Sequence, residues 1–381
     1  MKIIWFSEIK WSYLRTRKQH ILSNFKDNDE ILFVEPLSFN LKNNFNISIE
    51  KNIKYLTIPQ IQNSDIKIVN YLINSPLFKW ILKKISSFRT NALLKKNNFS
   101  PDVLIVSNVF WIDYIIRIKK KLNIKIIYDC NDNPLAFPNS INKKKYFIRT
   151  LKYSDKIIIP FKSYINFIPN EFHQKIEVIS NGVDSNLIIS SKNKENILNS
   201  NFKNFINSSN KKNVIYIGSI DTRLDFDLIK QVVYDLQKIN FIFIGNIKRQ
   251  VEQKFTKIKK FNNVCHINSI NYNEIGKYLN YANVCIIPFQ KNSLSRFILP
   301  NKIFEYSILE KPFILTNFNS ELKDLNNQFL IANNQNDFSK LILEQLKNPY
   351  DTQKLKKFAL NFEWKHISYQ YRLKILDILK K

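Results

Sequence analysis

Short apolar runs that do not alternate with polar residues constrain this chain more than any other feature. Lys2–Ser7 (KIIWFS), Val103–Ser107 (VLIVS), Lys125–Cys130 (KIIYDC) and Lys156–Ile159 (KIII) are near-continuous blocks of Ile, Val, Leu and aromatic side chains. A strand with one wet face alternates. A strand that is hydrophobic throughout is covered on both faces, as in a parallel sheet with helices above and below. Strands are also expected at Glu30–Glu35, Ile53–Ile58 and Glu177–Ser180, with helices at Tyr13–Phe25, after Phe110 and at Asn142–Tyr153. Ile66–Lys96 reads as one or two helices, with a break at Pro76.

The alternation then stops and restarts. Asn181-Gly182-Val183-Asp184 leads into Ser190–Asn213, a polar stretch of Asn, Ser and Lys that reads as a domain junction plus a surface loop. Strands follow at Asn213–Ser219, Phe241–Gly245, Val264–Ile267, Val284–Pro288 and Phe313–Thr316. The intervening helices are expected at Phe226–Ile239, Asn273–Leu279 and Pro300–Leu309. A chain of 381 residues exceeds what one core of roughly 250–300 residues supports. The simplest architecture is therefore α/β, with two consecutive doubly wound units and a long final helix at Trp364–Leu379.

Bulk properties narrow the function. Hydrophobic residues make up 44%, which excludes a disordered chain. No run of about 18 apolar residues spans a membrane, and MKIIWFSEIKW is a poor signal peptide because Glu8 interrupts it, so a cytoplasmic protein is expected. Cys130, Cys265 and Cys285 lack metal-ligand spacing and read as small core residues. The formal charge of +28 comes with abundant Lys, Asn, Ile and Phe but only four Gly and one Met, a bias that an AT-rich coding background also produces. Whatever its origin, the positive potential favours anionic partners, such as nucleotide phosphates or acidic lipid head groups.

With so few glycines, their positions inform. Gly218 and Gly245 each end an expected strand, where a missing Cβ permits a tight turn or the close approach of a ligand. Neither G-x-G-x-x-G nor G-x-x-x-x-G-K-[ST] occurs, which argues against a dinucleotide dehydrogenase and a P-loop NTPase. The stretch Leu299–Tyr306 (LPNKIFEY) carries the chemistry. Pro300 suits a first helical position, and the free N–H groups that follow suit a diphosphate. Lys302 adds a full positive charge, and Glu305, one turn on, could accept ribose hydroxyls. The plain alternative is a solvated Lys-Glu pair on an ordinary helix.

Several of these segments together resemble a known family. Pro300–Pro312 (PNKIFEYSILEKP) resembles the P-x-K-x-x-E-Y…G-K-P signature of GT-B glycosyltransferases, nearest to family 4 relatives of the teichuronic-acid type. Tyr128-Asp129-Cys130-Asn131-Asp132 looks like that group's strand end in the acceptor domain, and Asn181–Asp184 like its interdomain NGVD. Tyr216-Ile217-Gly218-Ser219-Ile220, with Arg223 and Asp225, looks like its donor loop, and Arg17-Lys18-Gln19-His20 like its R-x-Q-H segment. Two departures stand out: Phe297 replaces the first glutamate of a Glu-x7-Glu motif, and Glu310 replaces the usual glycine before Lys-Pro.

The resemblance implies two Rossmann-like domains facing a cleft. Residues 1–181 would form the acceptor domain, 182–362 the nucleotide-sugar donor domain, and 363–381 a helix crossing back onto the first domain. Glu305 would bind the donor ribose, while Lys302, Arg223 and the Gly218 backbone hold the diphosphate, with Pro300 and Asn301 shaping the helix start. Asp129, Asp132 and His20 would line the cleft from the acceptor side as catalytic groups, flanked by Arg17 and Gln19. The implied reaction moves a sugar from a UDP- or GDP-linked donor to a cell-surface glycan or lipid-linked acceptor, with retention and without a metal. No cofactor is expected beyond the nucleotide-diphosphate sugar itself. Asp129 and Asp132 also fit turn chemistry before Pro134, and His20 fits a packing role.

Ile66–Lys96 interleaves Lys67, Lys79, Lys83, Lys84 and Arg89 with aliphatic and aromatic residues, as helices lying on anionic membranes do, and as a helix covering a sheet also can. Two rivals stand beside the glycosyltransferase: a non-catalytic basic protein binding nucleic acid or a membrane, and a GT-B nucleotide-sugar epimerase. Basic residues spread along the chain, without a nucleic-acid motif, weigh against a nucleic-acid partner.

Overall fold

The computed structural model describes residues 1–12, 15–36, 49–50, 52–58, 71–72, 75–136, 143–188, 198–292, 295–319, 322 and 329–380. The chain divides into two compact units. One comprises Met1–Ser180 together with Lys365–Lys381, and the other Asn181–Trp364.

The first unit is built on strands β1 (Lys2–Phe6), β2 (Glu30–Pro36), β3 (Ile49–Glu50), β4 (Ile53–Ile58), β5 (Val103–Val106), β6 (Lys125–Asp129), β7 (Lys156–Ile159) and β8 (Ile176–Val178). They form one sheet in the order β3-β4-β2-β1-β5-β6-β7-β8, parallel except for the short β3–β4 pair. Ile3, Ile4, Trp5 and Phe6 of β1 and all four residues of β5 are fully buried. That is the physical content of the unalternated runs, since both faces of these strands are covered.

The second unit carries β9 (Lys212–Ile217), β10 (Ile239–Ile244), β11 (Val264–Ile267), β12 (Val284–Ile287), β13 (Phe313–Thr316) and β14 (Leu330–Ala332). Its sheet is wholly parallel, in the order β11-β10-β9-β12-β13-β14. This is the doubly wound order 3-2-1-4-5-6. The chain's entry and exit from the unit lie side by side. Val183 N–H donates to Phe362 O at 2.8 Å and Trp364 N–H to Val183 O at 3.0 Å. Gly182 is required there, because a Cβ would lie 2.5 Å from Phe362 O.

Several expected boundaries change. The polar stretch expected to be loop contains a helix, Ser200–Asn207, outside the undescribed 189–197. Asn199 caps it by accepting from the N–H groups of Asn201 and Phe202, and Phe202 is fully buried against Tyr278, with ring centroids 4.9 Å apart. The composition concealed a single anchoring phenylalanine. The helix at Phe226 ends at Asp235, because Ile239 pairs with Lys212 as the first residue of β10. Pro76 divides the stretch as expected: Tyr71 and Leu72 are helical, and a separate helix, Pro76–Lys96, opens at the proline, with Ser75 accepting from Phe78 N–H as its cap. Residues 66–70 and 73–74 of the expected stretch lie outside the described residues, as do Tyr13, Leu14 and Asn142 at two other expected helix starts.

The final helix, Trp364–Leu379, packs within the first unit. Tyr371 stacks on Trp5 at 5.7 Å, Arg372 pairs with the buried Asp29 at 2.8 Å, and Lys374 pairs with Glu177 at 3.1 Å.

Candidate functional site

In a doubly wound sheet, ligands bind beyond the carboxyl ends of the strands, where the chain's direction of winding reverses. In the second unit this point lies between β9 and β12. Gly218 follows β9 at φ +144°, a region disfavoured for residues with a Cβ. Its N–H is not available to a ligand, because it continues the sheet by donating to Ile244 O at 2.8 Å. The expectation that this backbone holds a diphosphate therefore gives way to a steric role. A Cβ on Gly218 would collide with Nζ and Cε of Lys302. Gly245, at φ +149°, in turn makes room for the Gly218 carbonyl.

Lys302 opens the helix Lys302–Ile308. Pro300 stands two residues before it, not at the first helical position. The turn nevertheless begins there, with Ile303 N–H donating to Pro300 O at 3.0 Å. Asn301 occupies the cap position with helical dihedrals, and its side chain makes no cap hydrogen bond. A helix of seven residues has a small dipole, so the full charge of Lys302 dominates. The ammonium lies 5.3 Å from the Tyr216 ring centre and 5.9 Å from that of Phe289. Among the described residues it makes no ion pair. Burial, then the nearby Arg223, lowers its pKa to about 8, against the pull of Glu305 and Asp221. Glu305, 9% exposed, makes no side-chain hydrogen bond among the described residues, and burial raises its pKa against the pull of Lys302. A cation and a carboxylate thus stand at the switch point with hydrogen-bonding capacity unspent, which suits an anionic, hydroxyl-bearing ligand.

Arg223 reaches the same place from the loop after β9. Its guanidinium lies 5.5 Å from the Phe289 ring centre and pairs with Asp221, Nη2 to Oδ2 at 2.6 Å. Tyr306 fixes the end of β9 from below, its hydroxyl accepting from Ile217 N–H at 3.1 Å. Sequence reasoning missed Asp221, Phe289 and Tyr306 as parts of this site. The short spacing in Asp221-Thr222-Arg223 was a local signal for the first, because Asp commonly bonds the backbone two residues on.

The acceptor-side candidates fall differently. Asp129 ends β6 and is 0% exposed. Arg17, also buried, donates to it through Nε at 3.2 Å and to Ser180 O through Nη1 at 2.7 Å. Burial pushes the Asp129 carboxyl up against the pull of Arg17 and Lys18. His20 is 3% exposed; burial, then Arg15, lowers its pKa to about 3, so its ring is neutral, and Nδ1 accepts from Arg15 Nε at 3.4 Å. Gln19 spends its amide on the chain, its Oε1 accepting from Thr16 N–H at 3.1 Å in a capping box. Asp129, His20, Arg17 and Gln19 therefore face the unit's interior. Asp132 alone of this set is exposed, in a turn where Asn133 Oδ1 accepts from Leu135 N–H at 3.0 Å. Glu8, which sequence reasoning passed over, sits at the first unit's switch point beyond β1, paired with Lys18 and accepting from Ser107 Oγ at 2.8 Å. Among the described residues no group of three or more His, Cys, Asp or Glu is placed to hold a metal.

Comparison with known proteins bears on both units. Residues 199–362 match the family model described as Glycosyl transferases group 1. Over 213 residues the chain is 21% identical to the putative teichuronic acid biosynthesis glycosyltransferase TuaH of Bacillus subtilis, covering 52% of each chain. Over 262 residues it is 24% identical to the uncharacterized glycosyltransferase MJ1178 of Methanocaldococcus jannaschii, covering 65% of this chain and 67% of that one. The chain thus matches about half the length of the first relative and two thirds of the second. Among solved structures, sucrose-phosphate synthase from Thermosynechococcus elongatus superposes with a TM-score of 0.74 at 10% identity, over 100% of this chain and 99% of that one. Anabaena Alr3699/HepE in complex with UDP gives 0.70 at 11% identity, over 99% and 100%. At such identities the likeness shows the fold, which is GT-B.

Proposed function

We propose that this protein, a glycosyltransferase of the GT-B fold whose residues 199–362 match the group 1 glycosyl transferases, moves a sugar from a UDP- or GDP-linked donor to a glycan or lipid-linked acceptor. The observation that carries the reading is Lys302, a partly buried cation without an ion pair among the described residues, set against Gly218 at the switch point of a 3-2-1-4-5-6 sheet. Such a charge is costly unless an anion completes it. UDP is the first candidate, since one structural relative was solved with UDP.

The chemistry follows from the charges. As the bond from the sugar's anomeric carbon to the diphosphate breaks, negative charge gathers on the leaving phosphate. Lys302 and Arg223 stand where they can stabilise it. Glu305 accepts from the ribose hydroxyls. On the acceptor side, exposed Asp132 is better placed to take a hydroxyl proton than buried Asp129 or His20. Retention of configuration and independence of a metal belong to the same reading.

A thermal-shift screen of nucleotide-sugar donors on the wild type and Glu305→Ala tests it. A UDP- or GDP-linked donor that raises the melting temperature of the wild type only supports the site. A folded protein that no donor stabilises would sink it. Donor converted without any acceptor would instead favour an epimerase.

Among the described residues no helix is long and apolar enough to cross a membrane. The helix Pro76–Lys96, however, leaves Leu77, Trp80, Ile81, Ile85 and Phe88 exposed, and Lys84 stacks on Trp80 at 4.1 Å. It has basic residues throughout and no acidic one. We read this face as docking on an anionic lipid surface, with the apolar side chains entering the head-group layer and the lysines pairing with phosphates. Flotation with anionic vesicles at low salt tests it; protein left at the bottom of the gradient refutes the docking.

A further inference from the structure

The loop Gly218–Asp225 contains one contact that donor binding does not by itself require. Asp221 turns back on Arg223. Its Oδ1 accepts from the Arg223 backbone N–H at 3.0 Å and from Nε at 2.9 Å, while Oδ2 accepts from Nη2 at 2.6 Å. Burial raises the Asp221 pKa, but the Arg223 hydrogen bonds and charge lower it further, so the carboxylate is ionised.

The loop's main chain is pinned by other means. Gln290 N–H donates to Arg223 O at 2.8 Å, and the side-chain amides of Gln290 and Asn292 donate to Thr222 O at 2.6 and 2.9 Å. Leu224 bridges Phe289, and Asp225 N–H donates to Pro288 O at 2.9 Å. With the backbone held by residues 288–292, the two bonds from Asp221 to the guanidinium act chiefly on the side chain. That side chain needs holding. Arg223 and Lys302 both approach the Phe289 ring, at 5.5 and 5.9 Å, and two like charges converging on one ring drive each other away.

We propose that Asp221 is a positioning residue, which clamps Arg223 beside Lys302 before a ligand arrives, so that a nucleoside diphosphate meets two cations already in place. The proposal rests on the donor-site reading above. Ordering a long side chain before the ligand arrives transfers its entropy cost from binding to folding. The carboxylate's own charge works against this by repelling the phosphates, so the sign of its net effect is a measurable question.

Calorimetric titration with UDP, GDP and pyrophosphate answers it, on the wild type, Asp221→Ala, Asp221→Asn, Arg223→Ala and the Asp221→Ala/Arg223→Ala pair. Asp221→Ala is expected to weaken binding roughly 3- to 10-fold. Asp221→Asn keeps one acceptor for the loop and should fall between, which carries the test if the alanine variant does not fold. The double variant should bind no worse than Arg223→Ala alone, a result that a general loss of loop structure would not give. Asp221 variants binding as tightly as the wild type, or tighter, would overturn the clamp while leaving the donor site intact. So would a loss that adds fully to that of Arg223→Ala. A wild type that binds none of the three probes removes the donor-site reading, and the clamp with it.

Discussion

In both units the chain leaves a central strand in one direction and later returns on its other side, yet the charges gathered at the two reversal points are treated differently. In the first unit the buried cations Arg17 and Lys18 each have an anion, Asp129 and Glu8. In the second, Lys302 lies among aromatic rings without an ion pair among the described residues. Shared topology therefore does not distinguish a structural charge from a binding one; local compensation does. The buried, paired cations of the first unit belong to its fold, and Lys302, without an ion pair among the described residues, is the charge kept for a ligand.

The difference can be broken most sharply at Asp129. Asp129→Ala takes the anion away from the buried Arg17 guanidinium, and should cost about 3–5 kcal/mol in urea unfolding. A midpoint close to that of the wild type would mean the pair is not structural. Acid attacks the same unit next. His20 has a pKa lowered to about 3 when folded but an ordinary value near 6.5 when unfolded. Its neutral form thus contributes stability that is complete above pH 6.5 and drains away as pH falls toward 3, by about 3 kcal/mol at pH 4. Stability curves of the wild type and His20→Gln should converge in acid; parallel curves would refute this.

The second unit should respond in the opposite sense. Lys302→Met should leave the ligand-free melting temperature unchanged or raised, while weakening UDP or GDP binding by about 10- to 100-fold, the worth of a charge-assisted hydrogen bond. Wild-type affinity should also decline as pH rises through about 8, where the lysine discharges, and the variant's should not. A variant that both binds normally and unfolds early would reverse the comparison. The smallest effect is expected at Glu310, where φ is +53°. Glu310→Gly should relieve about 1 kcal/mol of strain or less, offset in part by loss of the half-exposed pair with Lys356. A falling melting temperature would show that this pair outweighs the strain.

These residues also mark how far the sequence could be read. Gly218 and Gly245 were legible because glycine is rare in this chain and stands at the ends of apolar runs. Glu310 was legible as a departure, and the backbone keeps the left-handed turn that glycine would have adopted freely. The burial of Asp129 was not legible, since Arg17 stands 112 positions away in sequence and only the closed sheet brings them together. His20 failed for a similar reason: a histidine on a short helix gives no sign of being walled in, and Ser368, which donates to its carbonyl, lies 348 positions on. The helix at Ser200–Asn207 was hidden by its composition, because one buried Phe202 does what a periodic apolar face does elsewhere.

The paired entry and exit at Val183 and Phe362–Trp364 have a consequence for how the molecule is made. The second unit is an insertion within the first, whose chain resumes only at Lys365. On a ribosome adding roughly 5–20 residues per second, Asp29, Trp5 and Glu177 emerge well before Arg372, Tyr371 and Lys374 exist, so the earliest of these contacts waits tens of seconds. Through that interval the first sheet stands with one helix missing, while the inserted unit has all its own strands and can close as soon as it is synthesised. The half that begins first is thus the half that finishes last.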